Sequence, residues 1–203
     1  MKRILTIDFD TIMAPSVEIY NHLVGPTNVD RLINDIPYLQ YVPADLQIYN
    51  NLTSLVIKLF KTLKSKEIFF IADHSLILKH LSDKESYEVI NVDHHHDLGY
   101  NKFYEKLDCG NWARFGIQQG LIDKYTWYHN RNSNCDYDIK DLRINDISHF
   151  WLPDKLELDN IDMLFLCLSP QWVPKHYYPL YLVWEELYTQ LVDSKGVEIE
   201  QHG

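Results

Sequence analysis

Cysteine is scarce in this chain of 203 residues: Cys109, Cys135 and Cys167 are its three, and none belongs to a Cys-x-x-C pair. Neither a disulfide framework nor a cysteine-zinc site is therefore indicated. No apolar run approaches the roughly 20 residues that a helical membrane span requires. The first residues also lack a secretory apolar stretch, so a soluble, cytoplasmic protein without a membrane partner is the expectation. Basic residues are outnumbered, with 19 Lys and Arg against 29 Asp and Glu and a formal charge of -10. Such a surface repels nucleic-acid phosphates and mildly favours cationic ligands, so no nucleic-acid partner is expected. No repeat, low-complexity tract or linker divides the sequence. A single domain over 1–203 follows, and a 46% apolar composition is enough to fill its interior.

What the chain does have is an alternation of short β-type runs with helical patterns, which predicts a three-layer α/β/α domain built on a mostly parallel sheet. Strands are expected at Arg3 to Ile7, Glu67 to Ala72, Tyr87 to Val92 and Tyr125 to His129. A further one, Ile161 to Leu168, is apolar enough to be covered on both faces and is ended by Ser169-Pro170. Asp45 can cap a helix reaching about Lys64, because Leu46, Tyr49, Leu52, Leu55, Val56, Leu59, Phe60 and Leu63 recur at helical spacing. Other helices are predicted over Ser75 to Leu81, Asn111 to Ile122 and Tyr181 to Val192. The stretch punctuated by Pro15, Pro26, Pro37 and Pro43 reads as a substrate-facing loop or lid, and Glu198 to Gly203 as a frayed end.

Three predicted strands run directly into acids or histidines. Ile4-Leu5-Thr6-Ile7 leads to Asp8-Phe9-Asp10, Phe69-Phe70-Ile71-Ala72 to Asp73-His74, and Val89-Ile90-Asn91-Val92 to Asp93-His94-His95-His96-Asp97. In open parallel sheets ligands bind beyond the carboxyl ends of the strands, so these tips can share one crevice. Carboxylates and imidazoles packed there repel or desolvate one another unless a positive charge sits between them, and a metal supplies it. The donors are oxygen and nitrogen without sulfur, which fits manganese, iron(II) or zinc. Ions bridged by carboxylates make a shared water nucleophilic near neutral pH, so the implied chemistry is hydrolysis. Taken singly each segment is ordinary: Asp-x-Asp is common in loops, and an Asp before a short helix is usually an N-cap. Five ionisable residues after a buried strand are the strongest sign. His22, His80, His129, His149, His176 and His202 are scattered and read as surface or locally hydrogen-bonded residues, and Trp127, Tyr128, Trp151 and Trp184 as packing.

At these residues the sequence resembles the ureohydrolase superfamily of arginases, agmatinases and related deacetylases. Its hallmark segments are Gly-Gly-Asp-His-Ser, Asp-Ala-His-x-Asp and Asp-x-Asp-x-x-x-Pro. Ala72-Asp73-His74-Ser75 resembles the first, Asp93 to Asp97 has the spacing of the second, and Asp8-Phe9-Asp10 with Pro15 beyond it is similar to the third. That third segment comes last in conventional arginases and first here, which implies a rearranged strand order. A closer likeness is to small, atypical peptide arginases of ribosomal-peptide biosynthesis. It runs through Ile71 to His74, Val92 to Asp97, Gly110-Asn111-Trp112 and Trp127-Tyr128-His129. The resemblance implies an arginase-like fold and hydrolysis of peptide arginine to ornithine and urea with two Mn2+ ions. One ion would take His74, Asp93, Asp97 and Asp8, the other His95, Asp93, Asp8 and Asp10. Asp97, with His94 or His96 as proton carriers, would serve catalysis, although alternation along an extended segment points those two rings away from His95. Where conventional arginases hold the guanidinium with a glutamate, this chain offers Gln171, and Asn111 is either a substrate contact or a helix N-cap.

Two other classes share some of these features. The order Asp8-x-Asp10, Asp73, Asp93-His94-His95 is similar to that of DHH phosphoesterases, but no Gly-Gly-Gly-His segment is present and the acidic charge suits a polyanionic substrate poorly. Only the arginase-like reading uses both His74 and Asp97 as ligands. A peptide-binding module with structural metals is the non-enzymatic alternative. Zinc-dependent deacetylation, which uses one metal with two Asp and one His, leaves acids to spare here.

Overall fold

The structure is a computed structural model that describes residues 1–13, 43–99, 106–131, 133, 135, 142, 147–170 and 172–194. Six strands form one sheet: β1 (Lys2–Asp8), β2 (Ile68–Ile71), β3 (Tyr87–Val92), β4 (Ile122–His129), β5 (Ile147–Trp151) and β6 (Met163–Cys167). Their order is β2-β6-β1-β3-β4-β5, and every neighbouring pair is parallel. The chain therefore has an α/β fold. The segments predicted to extend from Pro15 to Pro37 and from Glu198 to Gly203, and Gln171, lie outside the described residues.

Among the described residues three α-helices flank the sheet: α1 (Leu46–Thr62), α2 (Trp112–Gln118) and α3 (Tyr178–Ser194). Alternation along the strands sorts side chains between two cores. Leu5, Ile7, Ile90, Val92, Leu164 and Leu166 pack with Tyr49, Val56 and Leu59 of α1 and with Tyr181 and Trp184 of α3. Ile4, Val89, Met163 and Phe165 face the opposite way, onto Trp112, Ala113 and Ile117 of α2 and onto Ile77. Helices thus cover both faces, which is why β1, β3 and β6 read as near-continuous apolar runs. Asp45 caps α1 as expected, its Oδ1 accepting from the backbone N–H groups of Gln47 at 2.9 Å and Ile48 at 3.0 Å. No helix among the described residues is long and apolar enough to cross a membrane.

Three elements differ from the sequence expectation. The segment predicted as a helix over Ser75 to Leu81 is a 3-10 helix, His74–His80, because Asp73 caps the strand exit and closes tight i to i+3 bonds such as Leu76 N–H to the Asp73 carbonyl. The helix predicted to reach Ile122 stops at Gln118. Gly120 takes φ 75° there, its N–H bonds to the Ile117 carbonyl and that of Leu121 to the Gly116 carbonyl, which is a Schellman ending. Ile122 is thereby released to start β4, three residues before the expected Tyr125. The edge strand β5 has no counterpart in the sequence expectation: it is short, mostly exposed, and carries Ser148 and His149 in place of a clear apolar alternation. Trp151 at its end is 60% exposed and is not core packing.

Since an L residue with a side chain is disfavoured in the left-handed region, Gly120→Ala should lower unfolding free energy by about 1–2 kcal/mol. The midpoint of urea unfolding measures this, and an unchanged midpoint would show that the helix does not end in that turn.

Candidate metal centre

The parallel arrangement brings the carboxyl ends of β1, β3 and β6 side by side, with β2 next to β6. The register sets Asp8 opposite Cys167 and Ile7 opposite Val92, so Asp8 and Asp93 leave adjacent strands at the same level. Thr6, Asn91 and Phe165 lie along the sheet face covered by α2, and the acids that follow continue on that side. Asp8, Asp10, His74, Asp93, His95 and Asp97 are all buried, none more than 7% exposed.

Two half-cages result. His74 Nδ1 stands 3.0 Å from Asp97 Oδ2, 3.2 Å from Asp93 Oδ2 and 3.3 Å from Asp8 Oδ2. His95 Nδ1 stands 2.8 Å from Asp10 Oδ2 and 3.8 Å from Asp93 Oδ1. Asp93 therefore gives one oxygen to each half. Asp8 belongs with His74, and its other oxygen accepts the Asp10 N–H at 3.1 Å. The six residues that the sequence marks as ligands are brought together around two centres.

Each of these groups is oriented by a donor or acceptor behind it. Thr6 Oγ1 lies 2.9 Å from His74 Nε2 and orients the ring so that Nδ1 faces the acids. Asn91 Nδ2 donates to Asp93 Oδ2 at 3.1 Å and is itself fixed against the Tyr125 hydroxyl at 2.8 Å. Trp112 Nε1 donates to Asp97 Oδ2, and Ser169 Oγ donates to Asp8 Oδ2. Trp127 Nε1 holds the Asp93 carbonyl at 3.0 Å. The aromatic ring of Trp172 lies 4.8 Å from that of His95 and closes one side of the second half-cage.

Four carboxylates outnumber two imidazoles, so even with both rings protonated two negative charges remain uncompensated in a site almost without solvent. Burial, with the neighbouring Asp10 and Asp93, pushes the Asp8 carboxyl well above its ordinary value. Burial and Asp93 do the same to Asp97 and, more weakly, to Asp10. For His74 burial opposes the charged ring, but Asp8, Asp93 and Asp97 outweigh it and raise its pKa well above normal. His95 is likewise disfavoured by burial yet raised to about 9 by Asp10, Asp93 and Asp97. Asp93 alone moves down, because His74 and His95 overcome its burial. Asp10 Oδ2 is buried and meets no aligned hydrogen-bond donor, although it lies 2.8 Å from the His95 ring nitrogen. A divalent cation in each half would supply the missing charge, and oxygen and imidazole donors suit manganese, iron(II) or zinc. The residues present fit two such ions.

The other candidates are placed as follows. His94 Nδ1 lies 3.1 Å from Asn130 Oδ1, and burial lowers its pKa to about 3. His96 is fully buried, its Nδ1 accepting from the Leu98 N–H at 3.0 Å and its ring edge-on to Trp127. Asn111 occupies the N-cap position of α2 without a capping side-chain bond; its amide donates to the Lys106 carbonyl at 2.8 Å and accepts from the Asp108 N–H at 2.9 Å. It ties its own loop. Thr6 and Asn91, each two residues before a ligand, and Ser169, two residues past the end of β6, are not assigned to the site by the sequence.

In comparisons with known proteins, no protein-family model matches the chain, and no curated protein matches it significantly.

Two outcomes follow from this electrostatic balance. In metal-free protein His95, raised to about 9, holds a proton in the folded site at neutrality, and the raised pKa values of His74, Asp8 and Asp97 favour their protonated forms. His95 contributes stability below its unfolded pKa and loses it as pH rises through about 9, while the raised acids cost stability once they ionise. Thermal stability of the chelated protein should therefore fall from neutrality to about pH 9, metal loading should release protons, and metal affinity should increase over the same range. A flat stability profile without metal would contradict the assignment. Separately, Trp112→Phe keeps the ring but deletes the donor to Asp97, and should weaken metal binding about 10–100-fold by calorimetric titration.

Proposed function

We propose that this chain is a binuclear metal-dependent hydrolase of the arginase-like type, using two Mn2+ ions to convert arginine residues of a peptide to ornithine with release of urea. The observation that carries this reading is the convergence of His74 Nδ1 with Asp97, Asp93 and Asp8 within 3.3 Å. A DHH-type phosphoesterase makes no ligand use of His74 or Asp97, whereas an arginase-like site uses both.

His74, Asp8, Asp93 and Asp97 would hold one ion, and His95, Asp10 and Asp93 the other. Bound there, the ions supply positive charge that activates water and stabilises negative charge developing during hydrolysis. The protein's own groups keep this arrangement in place: Thr6, Asn91, Trp112 and Ser169 hold one ligand each. His94 and His96 are assigned no proton transfer, since their rings are directed at Asn130 and Trp127.

A cavity of about 780 Å³ gives a peptide somewhere to lie. Asp45 and Asp154 place two acids in its lining against the single base Arg131, and Trp151 and Leu156 provide apolar walls. None of the six ligand residues lines it; Asn130, which does, bonds to the ring of His94, the residue between Asp93 and His95. The excess of acids over the whole chain favours the same class of ligand.

Incubation of manganese-loaded protein with arginine-containing peptides should lower the peptide mass by the difference between urea and water, with matching urea release. Asp93→Asn and Asp8→Asn should each reduce kcat/KM by about 100-fold or more and lower the metal content. Full activity with unchanged metal content in either variant, or turnover of phosphodiesters but not peptides, contradicts the proposal.

A further inference from the structure

Away from the acidic centre, two histidines and a cysteine that are distant in sequence meet at the outer side of the sheet. Pairing of β4 with β5 sets Trp127 opposite His149 and His129 opposite Trp151. His129 and His149 are thereby diagonal neighbours on one face, with rings 5.5 Å apart. Cys135, in the connection between the two strands, brings its sulfur over the same point.

We propose that His129, Cys135 and His149 form a second metal site, taking a thiophilic divalent ion such as zinc and separate from the acidic pair of half-cages. His129 Nε2 lies 3.4 Å from His149 Nδ1 and 3.8 Å from Cys135 Sγ, and all three donor atoms fall within 4.8 Å of one another. Tetrahedral zinc with ordinary bond lengths separates two nitrogens by about 3.3 Å and a nitrogen from a sulfur by about 3.6 Å. The two separations at His129 match that geometry with little adjustment.

The central ring is also prepared for coordination. A carbonyl oxygen only accepts, so the 3.0 Å contact between His129 Nδ1 and the Asn130 carbonyl places the proton on Nδ1 and leaves Nε2 as the lone-pair atom. Trp127, with its ring 4.5 Å away, and Trp151, at 4.7 Å, restrict rotation of the imidazole. His129 is buried while Cys135 is exposed, which gives an ion a path from solvent. Thiolate with two imidazoles selects zinc over manganese and other hard ions, the reverse of an all-carboxylate set. Three protein donors leave one position for water or for a group entering the cavity that His129, Asn130 and Trp151 line.

Cobalt(II) titration of the metal-stripped, reduced full chain tests the assignment without reference to activity. A thiolate-to-cobalt charge-transfer band should appear, level off at the intensity of one thiolate-bound cobalt per chain, and be displaced by zinc but not by manganese. Cys135→Ser should abolish it and His149→Ala should abolish or greatly weaken it, while Asp93→Asn leaves it unchanged. Absence of the band in the unaltered chain would mean that the three residues form a hydrogen-bonded cluster only. A band that survives Cys135→Ser but disappears in Cys167→Ser would move the thiolate to the acidic centre, and either result overturns the proposal.

Discussion

Four buried carboxylates converging on two imidazoles set the terms for the rest of this structure. Such a concentration of negative charge opposes its own burial, and the sheet is arranged to enforce it. All six strands run the same way, so all their carboxyl ends lie on one edge. Placing β1 between β6 and β3 then brings Asp8 and Asp93 together although more than eighty residues of chain separate them. Covering both faces with helices excludes the solvent that would otherwise screen the acids. A fold with the same elements but alternating strand directions would scatter these tips over two edges.

Holding the acids in place requires more than topology. Each of Asp8, Asp93 and Asp97 receives a side-chain donor, from Ser169, Asn91 and Trp112 respectively, and these donors come from three different elements. Two of the residues concerned adopt left-handed backbone conformations without being glycine: Asp97 at φ 52° and Ser169 at φ 47°. Such conformations cost of order 1 kcal/mol and persist where surrounding contacts determine them. Here the contacts are identifiable, since Asp97 is fixed by Trp112 and His74 and Ser169 by Asp8. Local strain and charge crowding are concentrated at the same edge.

The sequence disclosed the ligands more readily than their supports, for physical reasons. A buried strand that ends in a run of acids and histidines has no ordinary packing explanation, so Asp8, Asp10, Asp93, His95 and Asp97 were visible from composition at the strand tips. Thr6 and Asn91 sit inside the strands, where a single polar residue is indistinguishable from one facing solvent until the covering helix is known. Trp112 was assigned to a helix, yet its indole N–H reaches Asp97 only because α2 packs across the strand ends. The edge strand β5 lacked the alternation that reveals its neighbours, and with it went any sign that His129 and His149 are adjacent. Pairwise proximity across a parallel sheet depends on strand order, which periodicity does not encode.

Asp93 differs from its neighbours in a way that bears on how such a site fills. It lies between the two imidazoles, which hold it ionised, whereas Asp8, Asp10 and Asp97 are pushed toward their protonated forms by burial and by one another. Its two oxygens are also divided between the half-cages, Oδ2 toward His74 and Oδ1 toward His95. A cation entering either half thus meets a ready anion in Asp93, and its charge favours ionisation of the acids around it. The charge that it adds would also favour loss of protons in the other half, which shares that carboxylate. Under the proposed function, filling of the two halves would be coupled, because one aspartate at the carboxyl tip of β3 is shared between them.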